Sequence, residues 1–472
     1  MANFALPISK RRLALTYVAL VGLPVAILLA VVAAHGVGPA PIHVPPSVPI
    51  PVPTSAPRQS AANGMPNLVL LVAQLTLIIL ATRAVGWLAE RIRQPRVTGE
   101  LLAGILLGPS LLGWLAPGLS GLLFPPASFG ILNALSQLGL VLFMFMVGLE
   151  LNVNDLRRQG PSAVLISHAS IAAPMALGAL LALYLYPRLS DPSVKFAGFA
   201  LFMGAAMSVT AFPVLARILS ERKLLHSRLG TMAIACAAID DVTGWCVLAC
   251  IVAQVRAGES SIPVWMTVAG LAAFLALMLL VARKPLAKIE RAYLARGELT
   301  DNLKALLLLV LMMSALVTEF LGLHLLFGAF IAGAIMPKNR QFVAYLIGRF
   351  ESLTVLMLLP LFFAYTGLRT SIGQVRGMAG WWLCGLIVAV AVAGKLGGTS
   401  LTARLGGSSW RDSLALGALM NTRGLMELVV LNIGLDIKVI SPSLYSMLVV
   451  MAVATTMMTP PLLHWFYPPG RE

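Results

Sequence analysis

The stretch AAIDDVTGW, residues 237–245, sets two adjacent aspartates, Asp240 and Asp241, in the middle of an otherwise apolar run from Leu229 to Val255. A run of that length can cross the hydrocarbon of a bilayer. Carboxylates are expensive at that depth, so an ionisable residue there points to function rather than packing. Two neighbouring carboxylates in a low-dielectric site cannot both ionise cheaply unless a cation or a proton joins them. The pair therefore reads as a site where a metal cation and protons exchange. The alternative, a helix end at the cytoplasmic surface, is disfavoured by the eleven near-apolar residues before the pair and the fourteen after it.

Around this pair the chain is that of an all-α polytopic membrane protein. Its 59% hydrophobic and 11% charged residues, with a mean hydropathy of +0.90, exclude an ordinary soluble domain of 472 residues. Apolar runs of about 20 residues recur at 13–34, 67–89, 98–115, 128–149, 162–186, 195–218, 229–254, 263–282, 303–321, 323–337, 350–368, 380–402, 413–435 and 439–462. Residues 1–35 read as an uncleaved membrane anchor, with a signal peptide as the alternative, because the run after Lys10-Arg11-Arg12 is long for a signal sequence. Residues 36–66, dense in Pro, Ser and Ala, read as an extracytoplasmic linker. A transport body of thirteen segments then occupies 67–467.

The net charge of +16 could suggest nucleic acid, but its distribution is that of a membrane topology. With the N-terminus inside, only Arg58, Arg188, Lys195, Arg256, Arg369, Arg376 and Lys438 of the 34 Lys and Arg fall outside, and Lys395 and Arg423 lie within segments. This bias follows the positive-inside rule and implies cytoplasmic termini in an inner cell membrane. No soluble domain is available to carry a nucleic-acid surface. The four cysteines, Cys236, Cys246, Cys250 and Cys384, fit no zinc or redox spacing, and none of the six histidines forms an HxxxH or HExxH pair. No cofactor is implied beyond the transported ions, Na+, K+ or Li+ and H+. No intramembrane enzyme constellation is present either.

Lys395 lies at mid-depth in a segment antiparallel to the one carrying Asp240 and Asp241, which makes it their natural partner. Two other segments look broken at similar depth. In one, Met207-Ser208-Val209-Thr210-Ala211-Phe212-Pro213 brings Ser208, Thr210 and Pro213 together. In the other, Asn421, Thr422, Arg423 and Gly424 interrupt the run, followed by Glu427. Interrupted helices in corresponding positions of two halves point to a transporter binding site, where freed carbonyls and helix ends can hold an ion. Arg423 and Glu427, four residues apart, can pair on one helix face or take part in ion binding; both readings stand.

These stretches match a known family. QPRVTGELLAGILLGPSLLG (94–113), LGLVLFMFMVGLELN (138–152), MSVTAFPVLARIL (207–219), AAIDDVTGW (237–245), HLLFGAFIAGAIMP (324–337), LPLFFAYTGLRT (359–370) and MNTRGLMELVVLNIGLD (420–436) resemble the monovalent cation:proton antiporter-2 family. The resemblance covers about residues 67–460. It implies an inverted-repeat antiporter fold of about thirteen transmembrane helices, two of them broken and crossing, to which the N-terminal helix is an addition. It also implies a mobile core domain, roughly 162–254 and 380–467, and a homodimer. By the family pattern Asp241 is the essential cation- and proton-binding carboxylate, and Asp240 pairs with Lys395. Ser208, Thr210, Asn421 and Thr422 line the unwound segments. The retained acids and lysine resemble the electrogenic members, which move more than one proton per cation. No GxGxxG follows the last segment, so the nucleotide-binding regulatory domain of many potassium-efflux relatives is not expected. The function implied is Na+/H+ exchange; K+/H+ exchange or a channel-like or sensory cation-binding protein are the alternatives.

Overall fold

A computed structural model of the chain describes residues 10–34, 67–92, 94–150, 160–191, 194–224, 227–256, 264–321, 324–375 and 377–468. The linker expected over 36–66 lies outside the described residues. Every regular element among them is helical. The first helices are α1 (Ala14–Ala34), α2 (Asn67–Arg91), α3 (Arg96–Leu107), α4 (Phe129–Glu150) and α5 (Gly160–Leu189). Then come α6 (Phe196–Ser208), α7 (Phe212–Glu221), α8 (Arg228–Arg256), α9 (Ala269–Arg296), α10 (Asp301–Phe320) and α11 (Leu325–Ala334). The chain continues with α12 (Arg340–Gln374), α13 (Gly377–Leu405), α14 (Trp410–Met420), α15 (Leu425–Asp436) and α16 (Pro442–Phe466).

Eleven of the described helices are long and apolar enough to cross a membrane, or twelve when α14 and α15, bent by 46° at their break, count as one span. The sequence suggests fourteen segments because hydropathy does not register two shortenings. α6 has 13 residues and stops at Ser208, where the backbone of Val209 turns extended. α11 has 10 residues, starting at a His324 cap and ending before Pro337.

Helix starts follow capping chemistry. Ser409 accepts from the backbone N–H of Asp412 at 3.1 Å, Ser441 from Leu444 at 3.3 Å, and Asn339 from Gln341 at 3.0 Å. Pro442 occupies the first turn of α16, where a missing N–H removes no helix bond.

The chain divides into two compact units. One is built from Met1–Ala134, Gln159–Gly244 and Phe363–Glu472, the other from Leu135–Arg158 and Trp245–Phe362. In the second, α4 and α11 cross closely. A Cβ on Gly148 would sit 2.2 Å from the Phe330 carbonyl oxygen, so only glycine fits there. Lys338 then ties both helix ends together. Its Nζ donates to the carbonyls of Gly148 at 2.8 Å, Leu149 at 3.1 Å and Gly333 at 3.0 Å.

Burial pushes the Lys338 ammonium from the ordinary 10.5 down to about 7. Between those values the unfolded chain holds a proton that the folded chain has released, so this residue favours folding progressively as pH rises through the window. Lys338→Met is expected to flatten the rise in thermal stability between pH 7 and 9, measured on detergent-solubilised protein. An unchanged pH slope would remove Lys338 as its source.

Candidate functional site

The first unit contains every residue singled out around the aspartate pair. Asp240, in the middle of the 29-residue α8, is the hub. Lys395 Nζ donates to Asp240 Oδ2 at 2.8 Å, and the two side chains are 0% and 1% exposed. Three hydroxyls complete the shell. Thr210 donates to Oδ2 at 2.8 Å, Ser167 to Oδ1 at 2.5 Å, and Ser170 to Oδ2 at 2.9 Å. A buried ion pair persists only when further hydrogen bonds satisfy its remaining lone pairs and protons, and here they do. Lys395 sits on a π-helical turn of α13, Ala393–Gly397. Such turns are frequent where a helix must re-aim a functional side chain.

The break after α6 explains a second set of contacts. A helix end leaves its last four carbonyls without intrahelical partners. Ala205 accepts from the Ser208 hydroxyl at 2.9 Å. Ala206 and Met207 accept from the two terminal nitrogens of Arg423, at 2.7 and 2.5 Å. Ser208 accepts from Lys395 at 2.5 Å. Two cations thus meet the negative end of the α6 dipole. Arg423 also pairs with Glu427 at 2.7 Å, both side chains being at most 1% exposed. The structure supplies the i,i+4 pair read from the sequence and adds a role in capping α6.

The two interrupted spans satisfy one another where they cross. The Ala211 N–H donates to the Thr422 carbonyl at 3.0 Å, and the Thr210 hydroxyl proton that serves Asp240 is shared over a longer arm, 3.2 Å, with the Met420 carbonyl. From α16, Thr456 donates to the Arg423 carbonyl at 2.7 Å. Exposed backbone at membrane depth is tolerated only when it finds such partners inside the protein. Pro213 lies in the first turn of α7 rather than in the unwound segment, which is 209–211, and it starts the new helix.

Asp241 differs from its neighbour. It is 4% exposed, and neither carboxylate oxygen has a hydrogen-bond partner among the described residues. Both polar atoms of the fully buried Asn421 side chain are likewise without one. A bare carboxylate in such surroundings is neutralised by a proton or by a cation. Beside it, Asp240 is already compensated by Lys395 and three hydroxyls. Two adjacent acids therefore stand in opposite conditions, one satisfied and one not.

Asp240, Lys395, Thr210 and Ser208 are brought together, although Ser208 contributes its carbonyl to the cluster and turns its hydroxyl to Ala205. Thr422 contributes its carbonyl to the crossing, and its hydroxyl meets that of Thr459 at 3.4 Å. Ser167 and Ser170 escaped the sequence reading. The signal available was SHAS at 167–170, two hydroxyls one helical turn apart ahead of Pro174.

Residues 77–466 match the family described as "Sodium/hydrogen exchanger, transmembrane". The chain is 42% identical over 403 residues to "Na(+)/H(+) antiporter NhaS4" of Synechocystis sp., covering 85% of this chain and 98% of that protein. It is 41% identical over 407 residues to "Cation/H(+) antiporter 17" of Arabidopsis thaliana, covering 85% of this chain and 49% of that one. With "K(+)/H(+) antiporter 1" of Saccharomyces cerevisiae it shares 32% identity over 418 residues, covering 86% of this chain and 47% of that protein. It thus spans about half the length of these plant and yeast relatives. Among solved structures, the sodium proton antiporter MjNhaP1 of Methanocaldococcus jannaschii at pH 8 superposes with a TM-score of 0.61 at 16% identity, covering 84% of this chain and 97% of that one; the likeness is one of fold. With the match running from α2 to the end of α16, the chain belongs to the sodium/hydrogen exchanger family of membrane proteins.

Proposed function

We propose that the protein exchanges Na+ for protons across the membrane, with Asp241 as the carboxylate for which cation and proton compete. The observation that carries this reading is the contrast at 240–241. Asp240 is held by Lys395 at 2.8 Å and by three hydroxyls, whereas Asp241 is buried with no donor among the described residues. Counting charges, Asp240 and Lys395 cancel, leaving one negative charge on an ionised Asp241. A single monovalent cation or a single proton neutralises it, so binding of one excludes the other. Because a cation there repels the Lys395 ammonium, its arrival can also release the lysine proton. Exchange then moves two protons per cation and is electrogenic. Access alternates between the two sides, as the crossing half-helices support by offering charge compensation that moves with the site.

The Synechocystis relative named a Na+/H+ antiporter favours sodium, and the yeast relative named a K+/H+ antiporter makes potassium the second reading. We place the protein in the inner membrane with cytoplasmic termini, as a homodimer. The test is transport in proteoliposomes containing a pH-sensitive dye, with Na+, K+ and Li+ added in turn. Sodium is expected to drive the largest proton flux. A larger response to potassium would select the second reading, and ionic current without a proton gradient would indicate a channel.

A further inference from the structure

α1 lies outside the residues that match the family, 77–466, yet it packs against α5 and α6, both of which contribute to the site. Its most specific contact is polar. The Tyr17 hydroxyl lies 2.7 Å from Nδ1 of His168, and the two rings meet edge to face with centroids 5.9 Å apart. His168 follows in sequence Ser167, whose hydroxyl donates to Asp240. Of the elements packed on α5, α8 brings Asp240 and its neighbour Asp241, α13 brings Lys395, 3.4 Å from the Ser170 hydroxyl, and α6 carries no charged side chain.

α5 is weakened where it serves the site. Pro174 lies inside the helix and has no N–H to offer the Ser170 carbonyl. The same turn carries both hydroxyls that reach Asp240, and the single Ser170 proton is shared between Asp240 and the Ser167 carbonyl, 2.8 Å away. A turn with a missing helix bond needs support from its neighbours. One support is α13, whose Gly394 backbone presses on Pro174 so closely that a Cβ there would lie 2.8 Å from the Pro174 Cα. Tyr17 is a second.

We infer that α1 is a positioning element of the transport site, with Tyr17 holding His168 and, through it, the α5 turn whose Ser167 and Ser170 hydroxyls orient Asp240. This rests on the reading of the Asp240–Lys395 pair as part of the transport site. Tyr17→Phe keeps the ring and removes only the hydroxyl. In the full chain in proteoliposomes it is expected to raise the apparent KM for the cation about 3-fold, the worth of one neutral hydrogen bond. The maximal rate and the melting temperature should stay as in the wild type. His168→Ala should reproduce the effect, and Tyr17→Phe in that background should add nothing further. His168→Asn, which returns a polar atom near the Nδ1 position, should restore the wild-type KM.

An unchanged KM in both Tyr17→Phe and His168→Ala would overturn the proposal, as would two effects that simply multiply. A fall in melting temperature with KM unchanged would make α1 a structural strut only, and would overturn it equally. The outcome is separable from the functional reading. If Asp241→Asn abolishes exchange while the Tyr17 and His168 variants are silent, this proposal alone fails. If Asp241→Asn keeps its flux, the site assignment fails whatever Tyr17 does.

Discussion

Asp241→Asn is expected to reduce cation-driven proton flux in proteoliposomes to the protein-free baseline while leaving the folded protein intact. The substitution preserves shape and volume. It removes no hydrogen bond, because neither oxygen of Asp241 has a partner among the described residues. What it removes is the one charge at the site that Lys395 and the surrounding hydroxyls do not compensate. Stability should therefore hold or rise, since a buried group that is costly when ionised has been neutralised. A loss of flux accompanied by collapse of the protein would point instead to a structural aspartate.

Lys395→Ala should have the larger effect on folding. Truncation leaves Asp240 as an unpaired buried carboxylate and strips the Ser208 carbonyl of its donor. Breaking one side of a buried pair typically costs about 3–5 kcal/mol, which would appear as a markedly lower melting temperature in detergent. Any exchange that survives should no longer respond to membrane voltage, because the second proton carrier is gone. The double variant Asp240→Asn/Lys395→Gln removes both charges at once and should recover most of the lost stability without recovering voltage sensitivity. If Lys395→Ala transported with unaltered voltage dependence, the lysine would not be the second carrier.

Much of this site is legible in the sequence because membranes make polar residues conspicuous. Asp240, Asp241 and Lys395 stand out from apolar runs, and depth arithmetic at about 1.5 Å per residue puts acid and base at one level in antiparallel helices. The 2.8 Å contact is the consequence. The breaks at 209–211 and 421–424 are announced by Thr210, Pro213, Asn421 and Gly424, residues that serve a helix poorly or start a new one.

Other features leave no such trace. Serines in membrane helices commonly bond back to their own turn, so Ser167 and Ser170 do not advertise a partner 70 or more residues away. Arg423 has Glu427 as an obvious local mate, and that hides its larger contribution, closing carbonyls 216 and 217 residues earlier in the chain. Hydropathy counts the region of α6 as a full span because apolar composition continues across its break into α7. The Tyr17–His168 contact joins residues 151 apart, on a helix whose composition says only that it is apolar.

Competition between cation and proton at Asp241 underlies the whole exchange cycle. It is tested most directly by measuring proton release when Na+ is added to the detergent-solubilised protein, in the wild type and in Asp241→Asn under the same conditions. Saturable release is expected from the wild type and none from the variant. Undiminished release from Asp241→Asn would contradict it.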